Sequence, residues 1–483
     1  MNPSRNLFLL IKSLSKSEKR HFKLSSSQQA GDKTYLKLFD ALDKQENFDE
    51  VAIKKQFRRE AFIKHFTSIK GYLYSQILHS MRAYRSEKPI ETQLREALTD
   101  IKFLYDKGLF TQCDKIILKA KKIAVTHENY TCLIDLLFWE LESMRVQGLI
   151  YISRRENIFN QLSEGVNHIE TISKYHLQSI RIYDTVKQVG YTRNKKNYEV
   201  IIKQLDKPLF SKNKDKIPYQ ALYHYYNCRM GISNSLMENK KTFYYLNKLK
   251  QHIETHPQQM TENPKKYLNI LSNYTIGQQG LNMFNAIPKT IEQMRQINTS
   301  DLNLKKEIFY KSNNKELSLF INTGEFSKGV QLISKVGTEM ESYPNDYLKH
   351  HLNFTFAYVY FGACEYSKCK IYLNKLINES TPNVRNDIQC MARIISLIVH
   401  YETQNHELLE YVLKSVYRFL NKKENLYKFE ISIINFFEKK IQAAVSMAEK
   451  AQAFNKLKKE INNILKDTSE GSFQNNFRKT NCK

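Results

Sequence analysis

Glycine and proline are scarce in this chain, at 14 Gly and 9 Pro in 483 residues, less than half of the usual combined share of about 12%. Folds built on many tight turns, or on glycine-lined phosphate loops, need more. Cysteine is thin as well. Seven are scattered along the chain, at 113, 132, 228, 364, 369, 390 and 482, whereas a secreted disulfide scaffold is short and cysteine-rich. Long apolar runs are missing. The N-terminal run, Leu7 to Ile11, has only five residues, short of the roughly 7–15 of a signal peptide. Residues 132–139 already carry Asp135, and nothing approaches the ~18 apolar residues that cross a bilayer. A cytoplasmic protein with no membrane span is expected.

Catalytic signatures are missing too. There is no GxGxxG, no GxxxxGK[ST], no GxSxG and no HExxH, so no glycine-built phosphate cradle, nucleophile elbow or zinc helix is expected. Ser13 and Lys16 have SxxK spacing, but Ser15 is better read as a helix cap. The chain is therefore expected to be non-enzymatic, with no catalytic residues, no cofactor and no metal.

Acidic charge is the minority, 49 Asp+Glu against 75 Lys+Arg, for a net +26. A field of that sign favours acidic partners. However, 57 of the 75 cations are Lys and only 18 are Arg, and Lys is the weaker residue for planar reading of phosphates and bases. Lys, Asn, Ile, Tyr and Phe all use A/T-rich codons, so genome composition can account for much of the excess.

With 41% hydrophobic and 26% charged residues, the chain has the composition of a folded protein. Together with the lack of turn formers, this points to long helices joined by short turns, an all-α fold. Residues 1–88 read as a small helical N-terminal domain with 18 Lys/Arg against 9 Asp/Glu, net +9. Ser15 and Glu18 have the spacing of a capping box, residues 25–32 read as a polar loop, and Ile69, Tyr72, Leu73, Ile77 and Met81 recur at helical spacing over 67–84. From 89 to 466 the chain becomes a repeat. Helical runs are interrupted near Gly108, Gly148, Gly190, Gly231, Asn285, Gly324, Ala363 and Gln404, at spacings of 40, 42, 41, 54, 39, 39 and 41 residues. Two amphipathic helices in each interval, about eight pairs in all, predict a right-handed α-solenoid, in which each hairpin buries its apolar face against its neighbours. Residues 205–218 and 255–266, with their prolines, read as irregular joints, and 467–483 as a disordered basic tail.

Within this pattern the residues resemble the tetratricopeptide repeat. In residues 349–382, Phe356-Ala357 supplies the large-small pair of a first helix, Tyr360 follows one turn on, Cys364-Glu365-Tyr366 forms the turn, Cys369 is the small residue at the helix–helix approach, and Leu373, Leu376 and Pro382 complete the copy. A second copy has Ile101, Leu104, Gly108, Phe110, Cys113, Ile117 and Ala120; a third has Phe320, Gly324, Phe326, Gly329, Ile333 and Val336. The period is near 40 where the family has roughly 34, and Asn353 stands where a Trp is usual. The resemblance implies a scaffold or adaptor that binds a protein or peptide in a groove lined by the first helices. Taking Phe356, Ala357 and Tyr360 as packing directs His351, Phe354, Tyr358 and Phe361 toward that groove. The same offset selects Arg95, Leu98, Lys102 and Tyr105, then Lys311, Asn314 and Ser318, then Met391, Ile398 and Tyr401. Aromatics among cations suit a peptide carrying acidic and apolar residues. The opposing expectation is that these positions continue the core or face water.

The alternative function is a nucleic-acid-binding regulator. It would use either the N-terminal helix of residues 67–84 as a recognition helix or Lys-interleaved aromatics such as Tyr225-Tyr226 and Phe243-Tyr244-Tyr245 as stacking platforms. His252 and His256, four apart on a helix, have zinc spacing but no third ligand nearby, and read as the end of a helix that Pro257 stops. Cys364 and Cys369 likewise read as small packing residues, as Cys113 does in another copy.

Overall fold

The computed structural model describes residues 3–28, 34–84, 89–148, 152–189, 195–203, 209–210, 217–342, 346–378, 386–421, 428–440 and 446–466. Of these, 88% are helical and none is in a strand. The turn point at Gly190 and the tail 467–483 lie outside the described residues, as does most of the joint at 205–218. No described helix is long and apolar enough to cross a membrane.

The described residues group into two units, one of residues 1–162 with 299–305 and one of 163–298 with 306–483. In the first, helices α1 (Pro3–Ser13), α2 (Lys16–Gln28), α3 (Thr34–Lys44), α4 (Glu50–Gln56) and α5 (Phe66–Tyr84) surround a core of Leu7, Ile11, Phe22, Leu38, Phe39, Leu73 and Ile77. The capping box forms in full. Ser15 Oγ accepts from the Glu18 amide at 3.2 Å, and Glu18 Oε2 accepts from the Ser15 amide at 2.7 Å, satisfying two donors that a helix start leaves open. The predicted loop at 25–32 begins later than expected, because α2 continues to Gln28. A separate core, with Leu94, Ile101, Cys113, Ile117, Leu136 and Leu137, is enclosed by α6 (Ile90–Asp106), α7 (Phe110–Thr126) and α8 (Tyr130–Val146). These run antiparallel in sequence: Asp114 on α7 accepts from Ser143 Oγ on α8 at 2.7 Å, and Lys121 pairs with Glu140 at 2.5 Å.

Helix α9 (Ile152–Val189) corrects the repeat expectation, since the interval from Gly148 to Gly190 holds one helix of 38 residues and not two. After α10 (Lys195–Lys203), the second unit proceeds by hairpins. The pairs are α11 (Tyr219–Ser235) with α12 (Asn239–Glu254), α14 (Pro264–Gly280) with α15 (Ile287–Arg295), α16 (Leu302–Thr323) with α17 (Phe326–Glu341), α18 (Asp346–Gly362) with α19 (Tyr366–Asn378), and α20 (Asn386–Glu402) with α21 (His406–Asn421). The expected joint at 255–266 is mostly helical. Pro257 opens the short α13 (Pro257–Glu262) and Pro264 opens α14, positions where a missing N–H costs nothing. Helices α22 (Lys428–Asn435) and α23 (Met447–Lys466) follow.

One closure recurs at the turns. An amide donates to the carbonyl five residues earlier at Leu109→Leu104, Asn129→Ala124, Glu238→Ser233, Met283→Gln278, Glu325→Phe320, Glu365→Tyr360 and Asn405→His400, all at 2.8–3.1 Å. The residue before each donor has positive φ: Gly108, Glu128, Met237, Asn282, Gly324, Cys364 and Gln404. This is the left-handed C-terminal cap that ends a helix and reverses the chain. Gly231 is not a turn, since it lies inside α11 and the reversal falls at Met237. Cys364 is the exposed turn residue and not a packing one.

Glycine matters most where helices α17 and α18 cross. A Cβ on Gly362 would overlap the Phe326 ring, and one on Gly329 would lie 2.8 Å from Val359 Cγ1. Cys369 is fully buried beside them, its thiol pushed up to about 12 by burial. Gly362→Ala is expected to cost about 1–3 kcal/mol through overpacking. Gly71→Ala, mid-helix in α5 with nothing within 4 Å of its added Cβ, should instead stabilise by about 0.5–1 kcal/mol. Denaturant midpoints of the two variants should move in opposite directions.

Candidate partner-binding face

Two first helices of the second unit are largely enclosed, whereas α14 exposes Lys265 and Ile276. No residue of α11, nor of positions 307–323 of α16, is exposed, while the second helices α12 and α17 carry exposed residues such as Tyr244 and Lys328. Two contacts fix how α14 and α16 lie. Lys265 Nζ is 3.1 Å from Glu307 Oε2, and Lys311 Nζ donates to Asn269 Oδ1. Both pairs are 42 residues apart, so the helices run parallel and one repeat out of phase. On the other side, Lys266 Nζ lies 5.2 Å from the centre of the Tyr223 ring on α11. Its neighbour His224 stacks on His176 of α9 at 4.4 Å. Residues 266 and 269 on α14, and 311 and 315 on α16, are one helical turn apart and share a face. His176 on α9, Tyr223 and His224 on α11, Lys266 and Asn269 on α14, and Lys311 and Lys315 on α16 thus form a polar stripe of neighbouring residues.

Its electrostatics are unbalanced. Lys311 is matched by Glu307 at 2.8 Å. Burial raises the Glu307 carboxyl, and hydrogen bonds and charge from Lys311 and then Lys265 more than offset this, leaving it lowered. Among the described residues, Lys266 and Lys315 have no carboxylate partner; Lys266 has only the Tyr223 ring. Burial lowers the Lys266 ammonium. Burial, then the charge of Lys311, brings Lys315 down to about 8, although part of Lys315 remains open to solvent. Asn314 Oδ1, beside it in sequence, is buried without a hydrogen-bond partner.

His224 is held down to about 4, chiefly by burial and then by the positive charges of His176 and Lys266. The sign follows from linkage. The unfolded imidazole takes a proton below about 6.5 while the folded one does not, so stability falls as pH drops from 6.5 toward 4. His224→Gln is expected to remove up to about 3 kcal/mol of that acid sensitivity, measured as the difference in urea stability between pH 7 and pH 4.

The residues selected from sequence fall in several neighbourhoods. In the first unit, Arg95 is exposed and pairs with Glu91 at 2.8 Å, Lys102 is exposed, and Tyr105 packs edge-on against Phe110 at 5.4 Å and Trp139 at 5.3 Å. In the second, Lys311 belongs to the polar stripe and Ser318 accepts from Gln279 at 2.9 Å. Asn314 is 8% exposed and Tyr358 4%. Tyr358 packs on Phe354 and Phe361, and Phe361 and Met391 are buried as well. His351 is half-buried and its carbonyl accepts from Thr355. Tyr401 packs on Phe437 at 5.6 Å and Phe454 at 5.7 Å. Asn314, Tyr358, Phe361 and Met391 are therefore buried and present little surface. Lys266 and Lys315 were missed. The 42-residue ladder that joins Asn269 to Lys311 is the repeat period itself, and aligning α14 with α16 at that period would have found them.

His252 and His256 behave as a helix end. His252 Nε2 contacts the Tyr219 carbonyl at 2.9 Å, with the two rings stacked at 4.2 Å, and His256 Nδ1 contacts the His252 carbonyl at 2.9 Å. Among the described residues, no group of three His, Cys, Asp or Glu is placed to hold a metal. Tyr225, proposed as a stacking platform, is buried in the core with Cys228 and Ile232.

Compared with protein-family models, with curated proteins and with solved structures, the chain matches none.

Proposed function

We propose that the chain is a non-enzymatic scaffold or adaptor of the cytoplasm, a right-handed tetratricopeptide-like solenoid that binds a peptide or protein segment along its first helices. The observation that carries this is the stripe on α11, α14 and α16, where enclosed lysines stand without carboxylate partners while remaining reachable from solvent. Desolvating a charge without a partner is unfavourable, so a surface of this kind is complete only with a ligand on it. The free thiols of the described cysteines accord with a reducing compartment.

The test is selection of full-length protein against a random peptide display library, alongside gel shift of labelled single-stranded RNA and duplex DNA at low salt. Enrichment of peptides that share a motif supports the scaffold. Nucleic-acid binding that weakens steeply with salt through counterion release, with no peptide enriched, would replace it by the nucleic-acid reading.

A further inference from the structure

We propose that Lys266 and Lys315 are the two ends of a reader for acidic side chains, and that the segment bound there is an extended peptide with carboxylates four residues apart. This rests on the peptide-binding reading above and specifies its ligand. The spacing comes from the helix register. Because α14 and α16 are parallel with a 42-residue offset, Lys315 lies level with position 273, seven residues beyond Lys266. That is roughly 10 Å along the axis at 1.5 Å per residue. Adding the lateral step of about 8–10 Å between packed helices separates the backbones at the two lysines by about 14 Å. An extended chain advances about 3.3 Å per residue, so four residues span the gap, and residues i and i+4 of such a chain point the same way. Between the two ends, Asn269 and Lys311 hold each other and offer polar groups to the peptide backbone.

A carboxylate chain fits the stripe better than a phosphate chain. The seven stripe residues include no Arg, the residue suited to bidentate phosphate reading.

The experiment uses full-length protein and three fluorescent probes read by anisotropy: a twelve-residue peptide with two Glu-Ala-Phe-Ala-Glu segments, its Gln-for-Glu counterpart, and a twelve-nucleotide single-stranded RNA. Variants are Lys266→Met, Lys315→Met and, as a control on the outer helix α17, Lys328→Met. Met retains length and removes a charge that burial disfavours, so the fold is kept. The Glu peptide is expected to bind at least 10-fold more tightly than the Gln peptide. Each groove variant should lose roughly 10-fold or more, and Lys328→Met less than 2-fold. Equal binding of the Glu and Gln peptides, or undiminished binding by Lys315→Met, overturns the acidic reader while leaving the scaffold reading in place. RNA binding that Lys266→Met and Lys315→Met abolish, with no peptide bound, overturns the ligand class. Failure of all three probes overturns this proposal, and only an unproductive library selection would remove the scaffold reading as well.

Discussion

Replacing Glu140 by alanine is expected to lower the stability of the first unit by about 3–5 kcal/mol, the cost of stranding a buried charge. The Glu140 side chain is 6% exposed and holds two cations from different helices, Lys121 on α7 at 2.5 Å and Arg154 on α9 at 3.0 Å. Lys121 is itself 14% exposed, so it cannot recover full hydration when its partner goes. Arg154 is more open and would turn to solvent. The pair's net worth is another matter. Lys121→Met with Glu140→Leu removes both charges and fills the same space, and is expected to recover most of the loss, since apolar replacement of a buried pair is often neutral or stabilising. Urea unfolding of the single and double variants checks both statements. A cost below about 1 kcal/mol for Glu140→Ala would mean that the pair is solvated as a surface pair is.

Lys315→Met should act in the opposite sense and make the free protein more stable, by about 1–3 kcal/mol at pH 7. Burial, followed by the Lys311 charge, brings the Lys315 ammonium down to about 8 in the folded chain, against about 10.4 unfolded. Below pH 8 both states carry the proton and the folded state bears the whole desolvation penalty. Between about 8 and 10.4 the unfolded state binds more protons, so the stability of the native sequence rises with pH. The advantage of Lys315→Met is therefore expected to be largest at pH 7 and to shrink to near zero by about pH 10.5. Melts at three pH values test it. An advantage that does not change with pH would show that packing, and not charge, sets the effect. A lysine that is expected to weaken the fold while standing on the proposed binding face would have the mark of a residue kept for binding.

Much of the architecture is legible in the sequence, because helix starts and stops are local chemistry. The capping box at Ser15–Glu18 needs only two side chains and their spacing, and forms as read. The turns at Gly108, Gly324 and Gln404 are likewise set by the last turn of each helix. Gly231 misleads, since a glycine inside a helix looks the same as one that ends it; Met237 takes the left-handed position, which side-chain type alone does not announce. The single helix of residues 152–189 was hidden because a regular spacing of turn points does not show whether the interval between two of them holds one helix or two. The candidate site was less legible. Selecting a face by its offset from the packing residues assumes a first helix with one open side. In α18 the residues around Tyr358 are covered throughout, so an aromatic aimed by the pattern at a groove becomes core. The stripe that does form depends on pairings 42 residues apart, which periodicity reveals only when the repeats are laid against each other.

The most direct test of the central claim, that the first-helix face is the docking surface, is site-specific photocrosslinking. A benzophenone side chain placed at Tyr223 or Asn269, on the stripe, is compared with one at Tyr244, which is exposed on the outer helix α12, using the peptide enriched by library selection. Crosslinks from positions 223 and 269, and none from 244, are the expected result. Crosslinks from 244 alone, or from all three alike, would contradict the assignment of the first helices as the binding face.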